Sequence, residues 1–215
     1  MDKTLGDNGL PTNTAKKPQN YAAAILICIT FIFGVATAYY GVYTRGPMTK
    51  YNQRIEKLLH DDLHWACASI VIFGRIVAFV NAYPMAHKAR VVLPHSGNLR
   101  ANLFFYHQIG KNASSSIVAL IEDGAIGAYN RANRSLHHMI ENYGALLAGL
   151  TLGCQVFPFQ VFLLVCAYGF GRLLHQIGYT RGFGYHAPGY IISTLALSTL
   201  EGLHFLIAIK GFGYL

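Results

Sequence analysis

Long apolar blocks alternate with short polar segments along this chain, and the blocks have the length of membrane spans. A helix needs about 20 apolar residues to cross a bilayer core. Tyr21 to Thr44 meets that length, with Tyr39, Tyr40 and Tyr43 at its interfacial end. Residues 1–20 before it are polar, carry Pro11 and Pro18, and predict a flexible tail. Asp2 and Asp7 argue against an amphipathic presequence and no small-x-small cleavage site follows, so the first block is expected to stay as an uncleaved helix. Arg45 to His64 is a charged connector. Trp65 to Tyr83 is the second span, with Arg75 and Asn81 inside it. A charge at mid-span is costly, so Arg75 is expected to face other helices. The span closes on a basic collar of His87, Lys88 and Arg90.

Residues 91–126 form the longest polar excursion. Two β-prone apolar pieces lie in it, Asn102 to His107 and Ser116 to Ile121, and they suit either a hairpin or a flap on the headgroups. Asn112-Ala-Ser has the form of a glycosylation sequon, but the topology below puts it on the cytosolic side. The third span begins near Ala125, where Asp123 is a candidate cap, and runs to about Val156. That exceeds the bilayer, so its polar first half is expected to project or to line a cavity. A short uncharged turn leads to the fourth span, Phe159 to Tyr179, which makes the two antiparallel neighbours. After TRGFGYHAPG comes the fifth, Tyr190 to Ile209, with Thr194, Ser198 and Glu201 along one line.

Two polar stripes stand out against this background. Asn130, Arg134, His138 and Glu141 recur at i, i+4, i+8, i+11, within one narrow face about 16 Å long. Tyr168, Arg172, His175 and Tyr179 recur at i, i+4, i+7, i+11 on the next helix. The antiparallel arrangement sets both stripes at one depth and predicts a single polar pocket between them.

Composition agrees with a polytopic membrane protein: of 215 residues, 53% are apolar and 12% charged, about half the usual charged share. The net charge of +8 follows topology and anionic lipid. It does not point to nucleic acid, because no basic patch carries interleaved aromatics for base stacking. Lysine and arginine are concentrated on the side of the N-tail, the 84–126 loop and the 180–188 turn, which places the pocket mouth toward the cytosol or its equivalent. Cys28, Cys67, Cys154 and Cys166 lie in apolar stretches without CxxC spacing and are expected as buried free thiols.

Three readings of the pocket follow from its residue types. A small zwitterionic thiol such as glutathione has two carboxylates, which suit Arg134 and Arg172 with Lys88 or Arg90, and an ammonium, which suits Glu141. Its thiol needs a donor or cation to become a thiolate, from Tyr179, His175 or Arg181; lowering that pKa by two units takes about 2.7 kcal/mol. A metal or haem reading uses His138-x-x-Glu141 with His175, or His138 facing His175 or His204. The third reading has no chemistry: Arg134, Glu141 and Arg172 form ion pairs in a helical subunit that packs within a larger membrane complex.

At these residues the chain resembles the family of membrane-associated proteins in eicosanoid and glutathione metabolism (MAPEG), which includes microsomal glutathione transferases and leukotriene-C synthase. The family's R-x-x-x-N-x-x-E is matched by Arg134-Ser-Leu-His-His138-Met-Ile-Glu141, with His138 in place of the Asn. Its G-R-x-x-Y-x-x-G-Y is matched by Gly171-Arg172-Leu-Leu-His175-Gln-Ile-Gly178-Tyr179, with His175 in place of the first Tyr. An arginine after the family's third helix holds the thiolate; here Arg181, Tyr185 and His186 are nearest. The resemblance covers about residues 63–213 and implies an all-α polytopic bundle. In it, a four-helix domain over 63–215 is preceded by an extra transmembrane helix and connector over 21–62. It further implies a homotrimer with glutathione, as co-substrate, bound between protomers. Arg134, His138, Glu141, Arg172, His175, Lys88 and Arg90 are then binding residues, and Tyr179 and Arg181 catalytic ones. The implied activity is a transferase or peroxidase acting on lipophilic substrates from the bilayer. The family default is the endoplasmic reticulum, with mitochondrial or plastid membranes as alternatives.

Overall fold

The apolar blocks fold as helices. The computed structural model describes residues 21–91, 103–109 and 117–214; the tail 1–20 and the Asn112-Ala-Ser sequon lie outside them. The helices are α1 (Ala22–Ala36), α2 (Met48–His60), α3 (His64–Val91), α4 (Gly124–Gly153), α5 (Pro158–Arg181) and α6 (Ala187–Gly211). Helix α1 continues in wider π geometry over Thr37–Tyr43. Among the described residues, four segments are long and apolar enough to cross a membrane: Ala22–Tyr43, His64–Lys88, Pro158–Arg181 and Ala187–Gly211. Helix α4, expected as a further span, has 30 residues but is not among the four. Its first 18 residues carry Asn130, Arg131, Asn133, Arg134, His137, His138 and Glu141, and these lower its apolarity.

Local sequence accounts for several boundaries. Pro158 and Pro188 stand in the first turns of α5 and α6, where a missing N–H costs nothing. Helix α3 passes through Pro84 and runs beyond the expected end at Tyr83, finishing with Lys88 and Arg90, whose charges suit a helix C-terminus. Asp123 occupies the N-cap position of α4 in extended backbone, but its carboxylate makes no capping hydrogen bond. The charged connector is largely helical. Its apolar residues Met48, Tyr51, Ile55, Leu58 and Leu59 recur with the period of an amphipathic helix, a signal its charges obscure.

Where they are described, the two β-prone pieces of the 91–126 excursion pair with each other, while residues 92–102 and 110–116 lie outside the described residues. Strand β1 (Tyr106–Ile109) pairs antiparallel with β2 (Ile117–Leu120), with Tyr106 opposite Leu120 and Ile109 opposite Ile117.

Helices α3 to α6 form the bundle, in which α4 and α5 each touch both α3 and α6. The core is drawn from Phe73, Ile76 and Val80 on α3, Leu136, Met139, Leu146 and Leu150 on α4, Val161, Val165 and Tyr168 on α5, and Ala196 and Leu200 on α6. Trp65 packs against Phe159 and Phe162, so α3 and α5 begin at the same end. Helix α1 packs on α3 and buries none of its own residues. There the Arg75 guanidinium lies 4.5 Å above the Phe31 ring, so Arg75 faces α1 while remaining largely exposed.

The approach of α5 to α6 depends on two glycines. A methyl group on Gly171 would meet the Ser193 nitrogen and the Gly189 carbonyl, and one on Gly189 would meet the His175 nitrogen and the Gly171 carbonyl. Small residues let helix backbones come this close. The contact brings the first turn of α6, with His186 and Tyr190, against His175 and Tyr179.

Candidate functional site

The two polar stripes meet across the α4–α5 seam. Arg172, 2% exposed, donates from Nη2 to the Ser135 carbonyl at 2.9 Å and from Nη1 to His138 Nδ1 at 3.0 Å. Its Nε is buried with no hydrogen-bond partner. The ion pairs among the described residues are His60–Asp61 and Arg134–Glu141, so no carboxylate there neutralises Arg172. A buried cation left in this state retains its desolvation cost and favours an incoming anion.

Around Arg172 the rings are ordered. Ser135 Oγ and His175 Nδ1 are 2.8 Å apart. The His175 ring stacks on His138 at 5.3 Å and on Tyr179 at 5.4 Å. His186 stands edge-on to both His175 and Tyr179, at 5.6 and 5.0 Å. Together with Arg134, Ser135 and Tyr190 these rings line a cavity of about 160 Å³.

A second cavity, of about 210 Å³, adjoins it and shares Arg134 and Tyr179 in its wall. Leu120 at the end of β2 and the following Ile121 and Glu122, with Asn130, Arg131, Gly182 and Phe183, complete that wall. Asn130 ties the hairpin to α4. Its amide donates to the carbonyls of Phe105 and Ile121 at 2.8 and 2.9 Å and accepts from the Phe105 N–H at 3.0 Å. Phe104 against His137 and Phe105 against Tyr129 add ring contacts. Arg131 joins three elements, donating to the Thr180 carbonyl at 3.1 Å and to the Glu122 carbonyl.

Of the residues singled out in the sequence, Arg134, His138, His175 and Tyr179 line the smaller cavity and Arg172 supports it through His138 and Ser135. Glu141 is exposed and bonded to Arg134 at 2.8 Å along the same helix. Lys88 and Arg90, in the last turn of α3, line neither cavity. Arg181 is exposed and also lines neither, whereas His186, the other basic residue of that turn, does. Tyr168 is buried with its hydroxyl unpartnered.

Sequence reasoning missed Ser135, Arg131 and Tyr190. Ser135 lies one position off the stripe, but Tyr190 is four residues after His186, and that i, i+4 aromatic pair was visible. For the metal and haem reading, no group of three His, Cys, Asp or Glu among the described residues is placed to hold a metal. His138 and His175 stack face to face and leave no gap for a macrocycle. Compared with protein-family models, curated proteins and solved structures, the chain matches none.

Proposed function

We propose that this chain is a MAPEG-like integral membrane protein that binds glutathione in the cleft between α4, α5 and α6. Its thiol is then used on lipophilic electrophiles or lipid peroxides. The observation that carries this reading is a cavity that presents Arg134 and is backed by Arg172, a buried guanidinium paired with no carboxylate among the described residues. Glutathione supplies anionic charge through its carboxylates, and Glu141, with Glu122 on the wall of the adjoining cavity, offers a carboxylate to its ammonium. Tyr179 and His186 offer donors to the thiolate. In conjugation the sulfur forms a bond to the electrophilic carbon as that carbon's leaving group departs. In peroxide reduction two glutathiones become one disulfide as the hydroperoxide becomes an alcohol and water.

In this reading α3 to α6 are the family's four-helix core, α1 and α2 are additions, and three copies assemble in the endoplasmic reticulum or an organellar membrane. Each cavity is smaller than the roughly 300 Å³ at the lower end of small-ligand pockets, which fits a site completed by a neighbouring protomer. The test is glutathione-dependent turnover of an electrophile and of a lipid hydroperoxide by the purified protein. Arg134→Ala and Glu141→Ala are expected to abolish it while the helices remain folded; unchanged turnover in both refutes the assignment.

A second reading, a non-catalytic subunit of a larger membrane complex, is favoured by one observation. Several of the site's polar groups are already engaged within the chain, His138 Nδ1 by Arg172, His175 Nδ1 by Ser135, and Arg134 by Glu141. That reading requires the protein to purify with other subunits; isolation as a lone homo-oligomer excludes it.

A further inference from the structure

Helix α2 is the part of the structure that the pocket does not explain. None of its residues is buried by the described parts of the protein. Its apolar residues Met48, Tyr51, Ile55, Leu58 and Leu59 fall within an arc of about 100°, and all but Tyr51 are exposed. Lys50, Arg54 and Lys57 fall within an arc of about 60° along one border of that stripe. Glu56 lies beyond the other border, and Asp61 and Asp62 follow the helix end.

Its position narrows what can cover this face. The segment before α2 and the segment after it are both long and apolar enough to cross a membrane. A 13-residue helix between two such segments is held at the bilayer surface. The Tyr43 hydroxyl donates to Asn52 Oδ1 at 2.6 Å, and the Tyr43 ring stacks on Tyr51 at 6.4 Å, which fixes the corner where the chain turns from α1 into α2.

We propose that α2 is a surface anchor that lies in the headgroup plane of a bilayer containing anionic phospholipid. Met48, Ile55, Leu58 and Leu59 enter the acyl boundary, while Lys50, Arg54 and Lys57 contact lipid phosphates. An apolar stripe bordered by cations, on a helix with low mean apolarity, has the chemistry of an interfacial helix. Basic residues at a lipid surface are drawn to anionic headgroups over about a Debye length. The anchor is independent of the glutathione reading: an empty pocket leaves it standing, and a helix in water leaves the pocket unaffected.

The full chain in lipid nanodiscs, which expose both membrane faces, tests this directly. A single tryptophan is introduced as L58W or, for comparison, as Q53W, in a Trp65→Phe background. Lipids brominated near the top of the acyl chain are expected to quench the L58W emission at least about twofold more than the Q53W emission. Equal quenching at both positions overturns the insertion. Wild-type protein supplies a readout that does not depend on the variants folding. Trypsin cleavage after Lys50, Arg54 and Lys57 is expected to slow at least about fivefold in discs with about 30% phosphatidylglycerol relative to pure phosphatidylcholine, and to recover at high salt. Equal cleavage rates in the two lipids overturn the anionic preference.

Discussion

Arg172 on α5 donates to His138 Nδ1 on α4 across 3.0 Å. A guanidinium carries only donors. The His138 Nδ1 that receives this bond is therefore unprotonated, and the neutral ring carries its proton on Nε2. His138→Ala leaves Nη1 without an acceptor beside an already unpartnered Nε, and is expected to cost about 1–3 kcal/mol. His138→Asn, whose side-chain carbonyl can accept the same bond, is expected to recover most of that. Thermal unfolding in detergent separates the two; equal losses show that ring packing, not the hydrogen bond, is what His138 contributes.

The hairpin's attachment depends on Asn130. Its amide makes three hydrogen bonds to the backbone on the two sides of the hairpin, and no aliphatic residue replaces them. Asn130→Ala is expected to raise amide exchange at 103–109 and 117–121 by about tenfold or more, on the basis of about 1–3 kcal/mol of lost hydrogen bonding. Exchange in α5 and α6 is expected to remain as in wild type. Unchanged hairpin exchange contradicts the tether.

Gly189→Ala puts a methyl group against the His175 nitrogen and the Gly171 carbonyl, both backbone atoms that cannot rotate away. The helices must separate, with an expected loss of about 1–3 kcal/mol. Gly202→Ala is the control, because nothing lies within 4 Å of the added carbon. That change removes a helix-weakening glycine and is expected to be neutral or to gain up to about 1 kcal/mol. Unfolding midpoints of the two variants that agree within error remove the close α5–α6 contact as a source of stability.

Much of this architecture is legible in the chain. Span length and apolarity alone place α1, α3, α5 and α6, because a bilayer core imposes one minimum length on them all. The meeting of the two stripes was also visible. A tight turn before Pro158 makes α4 and α5 antiparallel, and that brings Arg172 opposite His138. What stayed hidden depended on partners distant in sequence. Ser135 gained its role through His175 and Arg172, about forty residues on, and Tyr190 through the Gly171–Gly189 contact. Lys88, Arg90 and Arg181 were grouped with the pocket by charge, yet they line neither cavity, since charge carries no direction. The connector's helix was masked because Lys50, Arg54, Glu56 and Lys57 are interleaved with the apolar positions that set its period.

The central claim is that the α4–α5–α6 cleft holds glutathione, and the most direct measurement is calorimetric titration of glutathione into the purified protein in detergent, with Arg134→Ala as control. Arg134 is half-exposed and bonded only to Glu141, so its loss leaves the bundle packing intact. Saturable binding by the wild type that is lost in Arg134→Ala is the predicted result. No heat of binding at millimolar glutathione, or equal binding by both proteins, contradicts the assignment.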